Sequence, residues 1–324
     1  MNGWVLIPML AWFAAAEAAA QQRHTLTRWD VEGMYAQAKA TIEDATQSNM
    51  EGVPIMLEAC VRNGYAPAAR LLIAVYEGRY KGLPAKPSEA CTLVRTLAES
   101  RATAPQDDSW SELCVEAMLH LARYAERGYG CTADDTEAYT WYSRAADAGL
   151  PEARAEQARL LMLGRGVKRD EHTAWKHLHH LAQTHPQTPH IFFYMASICY
   201  SHNARTKAAK LLYMGALQHD ADCLNNLGSL YERGTVVAED TAVALSLYRK
   251  AAALGNKQAS ANMQRLAYKE GIAATAPEET PAHTRLANAV RRVVEILPIN
   301  EHSKERLLLW LRGGRLPIKI QARS

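Results

Sequence analysis

Along most of this chain a small or apolar residue returns at every fourth position, and one such phrase recurs. It reads Gly64, Ala68, Leu72, Tyr76, then Gly149, Ala153, Gln157, Leu161, then Gly255, Ala259, Met263, Ala267. Ala117, Leu121, Ala125 and Cys223, Leu227, Tyr231 repeat it without the opening glycine. A four-residue step keeps side chains on one face of a helix. A second series interleaves with the first. Gly128, Gly164 and Gly234 are followed six residues later by Asp134, Asp170 and Asp240, and ten later by Ala138, Ala174 and Ala244. Tyr142, Leu178 and Tyr248 come four residues after those alanines. This predicts a second helix, begun by an Asp that accepts from free amides and closed by Gly149 or Gly255. The first two of these glycines stand 36 residues apart and the next interval is 70, or two units. No stretch alternates apolar and polar residues as a half-buried strand would. The expectation is an all-α fold, a right-handed α-solenoid of paired antiparallel helices with a C-terminal helical cap.

Two runs carry a more specific signal, YERGTVVAEDTAVALSLYRKAAALGN and YAERGYGCTADDTEAYTWYSRAADAGLPEA. They resemble the Sel-one-like repeat, a relative of the tetratricopeptide repeat whose units are paired antiparallel helices of this length. The resemblance covers residues 53–271, about five units, and is strongest at 128–153 and 227–259. It implies a non-enzymatic scaffold, an adaptor that binds a protein or peptide on the concave face lined by the first helix of each pair. Two units depart from the pattern. Between Tyr200 and Ala209 about four residues of the connecting loop are missing, and EGRYKGLPAKP replaces the glycine loop after Tyr76.

Composition adds the compartment. Residues 4–20 are apolar apart from Glu17, and Ala18 and Ala20 offer small residues before a cut at Gln21. This reads as a signal peptide and predicts a periplasmic or secreted protein; an anchor formed by residues 4–20 is the alternative, although the run is short for a span. The n-region has no Lys or Arg. Export makes the six cysteines relevant, yet Cys60, Cys91, Cys114, Cys131, Cys199 and Cys223 fall at unrelated positions of their units. The regular disulfide per helix pair seen in some exported members of the resembled family is therefore not expected, and mostly free, partly buried thiols are. A net charge of +3 gives no electrostatic footprint for nucleic acid.

Candidate chemistry is sparse. His172, His177, His179, His180, His185 and His190 cluster, and His177 and His180 share a helical face as weak metal candidates, but without HExxH or a carboxylate at ligand spacing. No GxSxG, GxxxxGK, CxxC or SxxK motif is present, so neither a catalytic residue nor a cofactor is assigned. The family alternative, an exported enzyme or a peptidoglycan- or penicillin-binding protein, lacks a nucleophile in context. On the first helices, packing takes the Ala and Tyr positions. His120, Arg123, Glu156, Arg159, Asn226 and Ser229 are left to face a partner, with donors that suit an extended peptide. The organisation read from the chain is residues 1–20 signal peptide, 21–52 N-terminal capping helix, 53–271 repeats, 272–281 linker and 282–324 basic helical hairpin and tail. The last segment is expected to cap the open end of the stack, with membrane contact through its basic helices as the alternative.

Overall fold

A computed structural model describes residues 27–44, 50–100 and 108–269. The expected signal peptide, linker and C-terminal hairpin lie outside the described residues, as do residues 101–107. Among the described residues there are 13 helices and no strand, in two compact units that divide between Arg169 and Asp170.

The first unit contains α1 (Arg28–Glu43), α2 (Gly52–Arg62), α3 (Ala66–Tyr76), α4 (Pro87–Glu99), α5 (Asp108–Arg127), α6 (Asp135–Asp147) and α7 (Pro151–Leu163). Short connections force each helix to double back on its predecessor, and one continuous apolar core runs from Val31 to Leu160. The second unit holds α8 (Glu171–Thr184), α9 (Ile191–Ser201), α10 (Arg205–Leu217), α11 (Ala221–Arg233), α12 (Thr241–Ala253) and α13 (Lys257–Lys269). In both units the phrase alanines are fully buried, Ala68, Ala117 and Ala153 in the first and Ala259 in the second. Their small side chains let successive helices approach closely.

Local rules place the helix ends where the spacing predicts them. Asp134 accepts from the amides of Thr136 and Glu137 at 2.8 and 3.1 Å, Asp170 from Thr173 at 2.9 Å, and Asp240 from Val243 at 3.0 Å. α1 opens with a capping box between Thr27 and Asp30. Gly149 and Gly255 close α6 and α12 at φ 94° and 89°, a left-handed backbone that suits glycine.

A three-residue clasp recurs in both units. The penultimate residue of α5, Glu126, accepts from Tyr142 Oη of α6 at 3.2 Å and from Arg159, ninth residue of α7, at 2.7 Å. In the second unit Glu232, penultimate in α11, accepts from Tyr248 Oη of α12 at 2.7 Å and from Arg265, ninth in α13, at 2.8 Å. Burial first, and then the adjacent carboxylates, push both tyrosine pKa values up. A charged acceptor makes each of these hydrogen bonds stronger than a neutral one. The clasp is missing around α10. Tyr213 keeps the aromatic ring, but α9 ends in Tyr200–Ser201 and the ninth residue of α11 is Ser229. Tyr213 Oη is buried without a hydrogen-bond partner.

Candidate functional site

The turn Glu77–Lys86 lies between α3 and α4, and a groove of about 450 Å³ opens along α2, α3 and α4. Val61, Leu72 and Leu93 give it an apolar lining, and Glu58, Arg62 and Glu89 supply charge. Glu58 is held by the Tyr76 hydroxyl and by Arg62 at 3.4 Å, which fixes a carboxylate beside the apolar surface. Concave, mostly apolar and edged by a few fixed polar groups, this is the ordinary composition of a binding groove.

The first helices of the pairs carry the residues that the sequence singles out. His120 Nδ1 lies 3.4 Å from Glu77 Oε1, its ring edge against Tyr124. Burial lowers its pKa, with Glu77 opposing. Glu77 also accepts from Tyr124 Oη at 2.7 Å and pairs with Arg79 at 2.5 Å, so His120 belongs to a packed polar cluster. Arg123 of α5 reaches Glu152 of α7 at 3.7 Å. Glu156 and Arg159 are bonded at 2.6 Å, and the Arg159 side chain is only 16% exposed. Burial works against its charge, yet Glu156 and Glu126 hold its pKa above the usual value. Asn226 donates to Asp222 O at 2.8 Å on its own helix, and Ser229 is half-buried beside it. Next to these, Asn262 of α13 donates to Asn225 of α11 at 3.0 Å. The first-helix face is thus a ladder of paired charges in the first unit and is richer in amides in the second. Sequence reasoning named these residues but not the acceptors they meet: Glu77 from the turn after α3, Glu126 from α5 and Glu152 from α7.

The histidines are sorted differently from expectation. His177 and His180 lie on α8, outside the one group of three His, Cys, Asp or Glu within ligand reach among the described residues. That group is His190, Asp220 and Asp222. His190 precedes α9 with φ 62°, Asp220 caps α11 by accepting from Cys223 N at 2.9 Å, and Asp222 sits in the first turn of α11. Asp220 first and then Asp222 raise the His190 pKa to about 10.

All six cysteines are free, and all but Cys131 are buried. Burial pushes the Cys60 and Cys131 thiols up to about 11, away from thiolate chemistry. No described helix is long and apolar enough to cross a membrane.

The family model for the Sel1 repeat matches residues 115–150, 151–182 and 221–256. The interval it leaves, 183–220, contains α9 and α10. No curated relative matches the chain. Among solved structures, a Sel1 repeat protein from Oxalobacter formigenes is similar at 19% identity and a TM-score of 0.44, over 70% of this chain and 99% of that one. The structure of c5321, described as a protective antigen present in uropathogenic Escherichia coli strains displaying an SLR fold, is similar at 18% identity and a TM-score of 0.41. That match covers 91% of this chain and 66% of the other.

Proposed function

From the premise that this chain carries Sel1 repeats, a scaffold type suited to protein–protein interaction, we propose that it is a non-enzymatic adaptor that takes a peptide segment of a partner protein. An apolar partner side chain enters the α2–α4 groove, and a basic neighbour meets Glu58 and Glu89. Within the first unit, Arg123, Glu156 and Arg159 on the first helices take the remainder of the segment. The observation that carries this reading is the groove, whose apolar lining is flanked by the Glu58 carboxylate, held by Tyr76 and Arg62, and by Glu89. Desolvating half-buried Leu93 against a side chain supplies affinity, and the carboxylates supply selectivity.

Peptide selection on the full chain tests it. Enriched peptides should pair an aliphatic or aromatic residue with Lys or Arg, and Leu93→Arg should weaken them at least tenfold. Peptides that bind Leu93→Arg and Glu89→Lys as tightly as the parent would overturn the groove. Charge reversal of Arg123 distinguishes the row from the groove.

The same reading places the adaptor outside the cytoplasm, supported by the apolar residues 4–20 and the small residues before Gln21. Mass spectrometry of the protein recovered from the cell envelope should show a chain beginning at Gln21. An intact Met1 in the cytosolic fraction would reject export.

A further inference from the structure

Two carboxylates and an imidazole converge at the starts of two helices in the second unit. His190 Nδ1 stands 3.2 Å from Asp220 Oδ2 and 3.3 Å from Asp222 Oδ2, and the three ligand atoms lie within 4.8 Å of one another. One imidazole nitrogen carries one proton, which can serve two acceptors at once only through bent, weakened arms. Nδ1 is enclosed, and neither carboxylate is aligned with it as a hydrogen-bond partner. A cation has no such directional restriction. Ligands about 2.1 Å from one ion and about 100° apart stand roughly 3.2 Å from each other, which is the spacing of His190 Nδ1 from each carboxylate oxygen.

The surroundings hold each ligand in place. Asp220 Oδ1 accepts from Cys223 N at 2.9 Å, and its Oδ2 takes the His190 backbone amide at 3.1 Å while keeping a further lone pair. Asp222 Oδ1 accepts from Asn256 Nδ2 at 2.8 Å, which turns Oδ2 toward His190. The Tyr194 ring, one turn along α9, lies 5.9 Å from the imidazole. Outer hydrogen bonds of this kind orient metal ligands. Half-exposed His190 and Asp222 leave room for water to complete the coordination.

We propose that His190, Asp220 and Asp222 form a binding site for a first-row divalent cation of the zinc class. One nitrogen and two carboxylate oxygens suit zinc, cobalt or manganese; calcium, which gathers six to eight oxygens, is poorly served. The ion ties the start of α9 to the start of α11, and through Asn256 to the residue that begins α13. The second unit thereby acquires a metal-dependent clamp.

Cobalt(II) is the spectroscopic probe and zinc the thermal one, both on the full chain after chelator treatment. The expected result is visible cobalt d–d absorption that saturates at one equivalent, with an upward melting shift in zinc. Both should vanish in His190→Gln and in Asp222→Asn, the latter retaining a carbonyl oxygen for Asn256. Both should persist in the His177→Gln, His180→Gln double variant. The proposal is overturned by absence of cobalt absorption in the parent chain, or by absorption that survives Asp222→Asn and His190→Gln.

Discussion

Gly166 and Val236 occupy the same slot, two residues past the helix-closing glycines Gly164 and Gly234, and their backbones agree at φ 65° and 73°. Their neighbourhoods do not. A Cβ on Gly166 would stand 2.0 Å from the carbonyl oxygen of Asp135, at the start of α6, and Gly130 is confined in the same way by Pro87 at 1.8 Å. Val236 is instead 44% exposed. The loop that precedes each second helix is seven residues long at 128–134 and at 234–240, but only three residues, His202–Ala204, join α9 to α10. Two separate demands are therefore visible at one slot. The loop demands a left-handed backbone wherever it occurs, and only a full-length neighbouring unit also demands the absence of a side chain.

The largest effect should come from exchanging those situations. Gly166→Val places a β-branched residue at positive φ against a backbone carbonyl, combining local strain with overpacking. A loss of about 3 kcal/mol or more in urea unfolding is expected. If Gly166→Val costs less than about 1 kcal/mol, the close approach of Asp135 is not what selects glycine.

The clasp gives a second, smaller contrast inside the second unit. Tyr248 donates to a charged acceptor and Tyr213 Oη has no hydrogen-bond partner. Tyr248→Phe should cost about 1.5 kcal/mol, whereas Tyr213→Phe should be neutral or mildly stabilising, since it removes a buried hydroxyl that nothing satisfies. Equal losses at both positions would mean that the tyrosine ring alone, and not the Glu232 clasp, sets the energy. Acid sharpens the same contrast with a smaller effect. Arg265 and the Tyr248 hydroxyl hold the Glu232 carboxyl below its usual value. A depressed carboxyl stabilises the fold above the unfolded pKa of about 4.5 and loses that contribution as pH falls through the folded value. Thermal melts of Glu232→Gln should therefore decline less steeply below pH 4.5 than those of the parent chain, with Tyr213→Phe following the parent.

These contrasts mark the limits of what the residues disclosed before any coordinates. The helices, the Asp starts and the glycine ends were readable because they obey rules that act within about four residues. The shortened loop before Lys207 was readable for the same reason, by counting. Arg159 was not: its spacing puts it in a row that faces outward, but its guanidinium is engaged by Glu156 on its own helix and Glu126 on the preceding one. His190 likewise sits among other histidines in the sequence, while its carboxylates are 30 and 32 residues further on. That separation is close to one repeat, and a search for ligand types one unit apart would have joined them.

The smallest prediction returns to Val236. A valine at φ 73° carries the Cβ–carbonyl crowding of the left-handed region, about 1–2 kcal/mol. Replacing it by glycine removes that strain but enlarges the conformational freedom of the unfolded chain, which costs about 0.4–1 kcal/mol. The difference favours Val236→Gly by about 0.5 kcal/mol, measurable as a rise in the urea midpoint with an unchanged slope. A fall in the midpoint would show that the exposed Val236 side chain makes a contact that offsets its backbone. The slot would then be selected for its side chain in the second unit, as it is selected against one in the first.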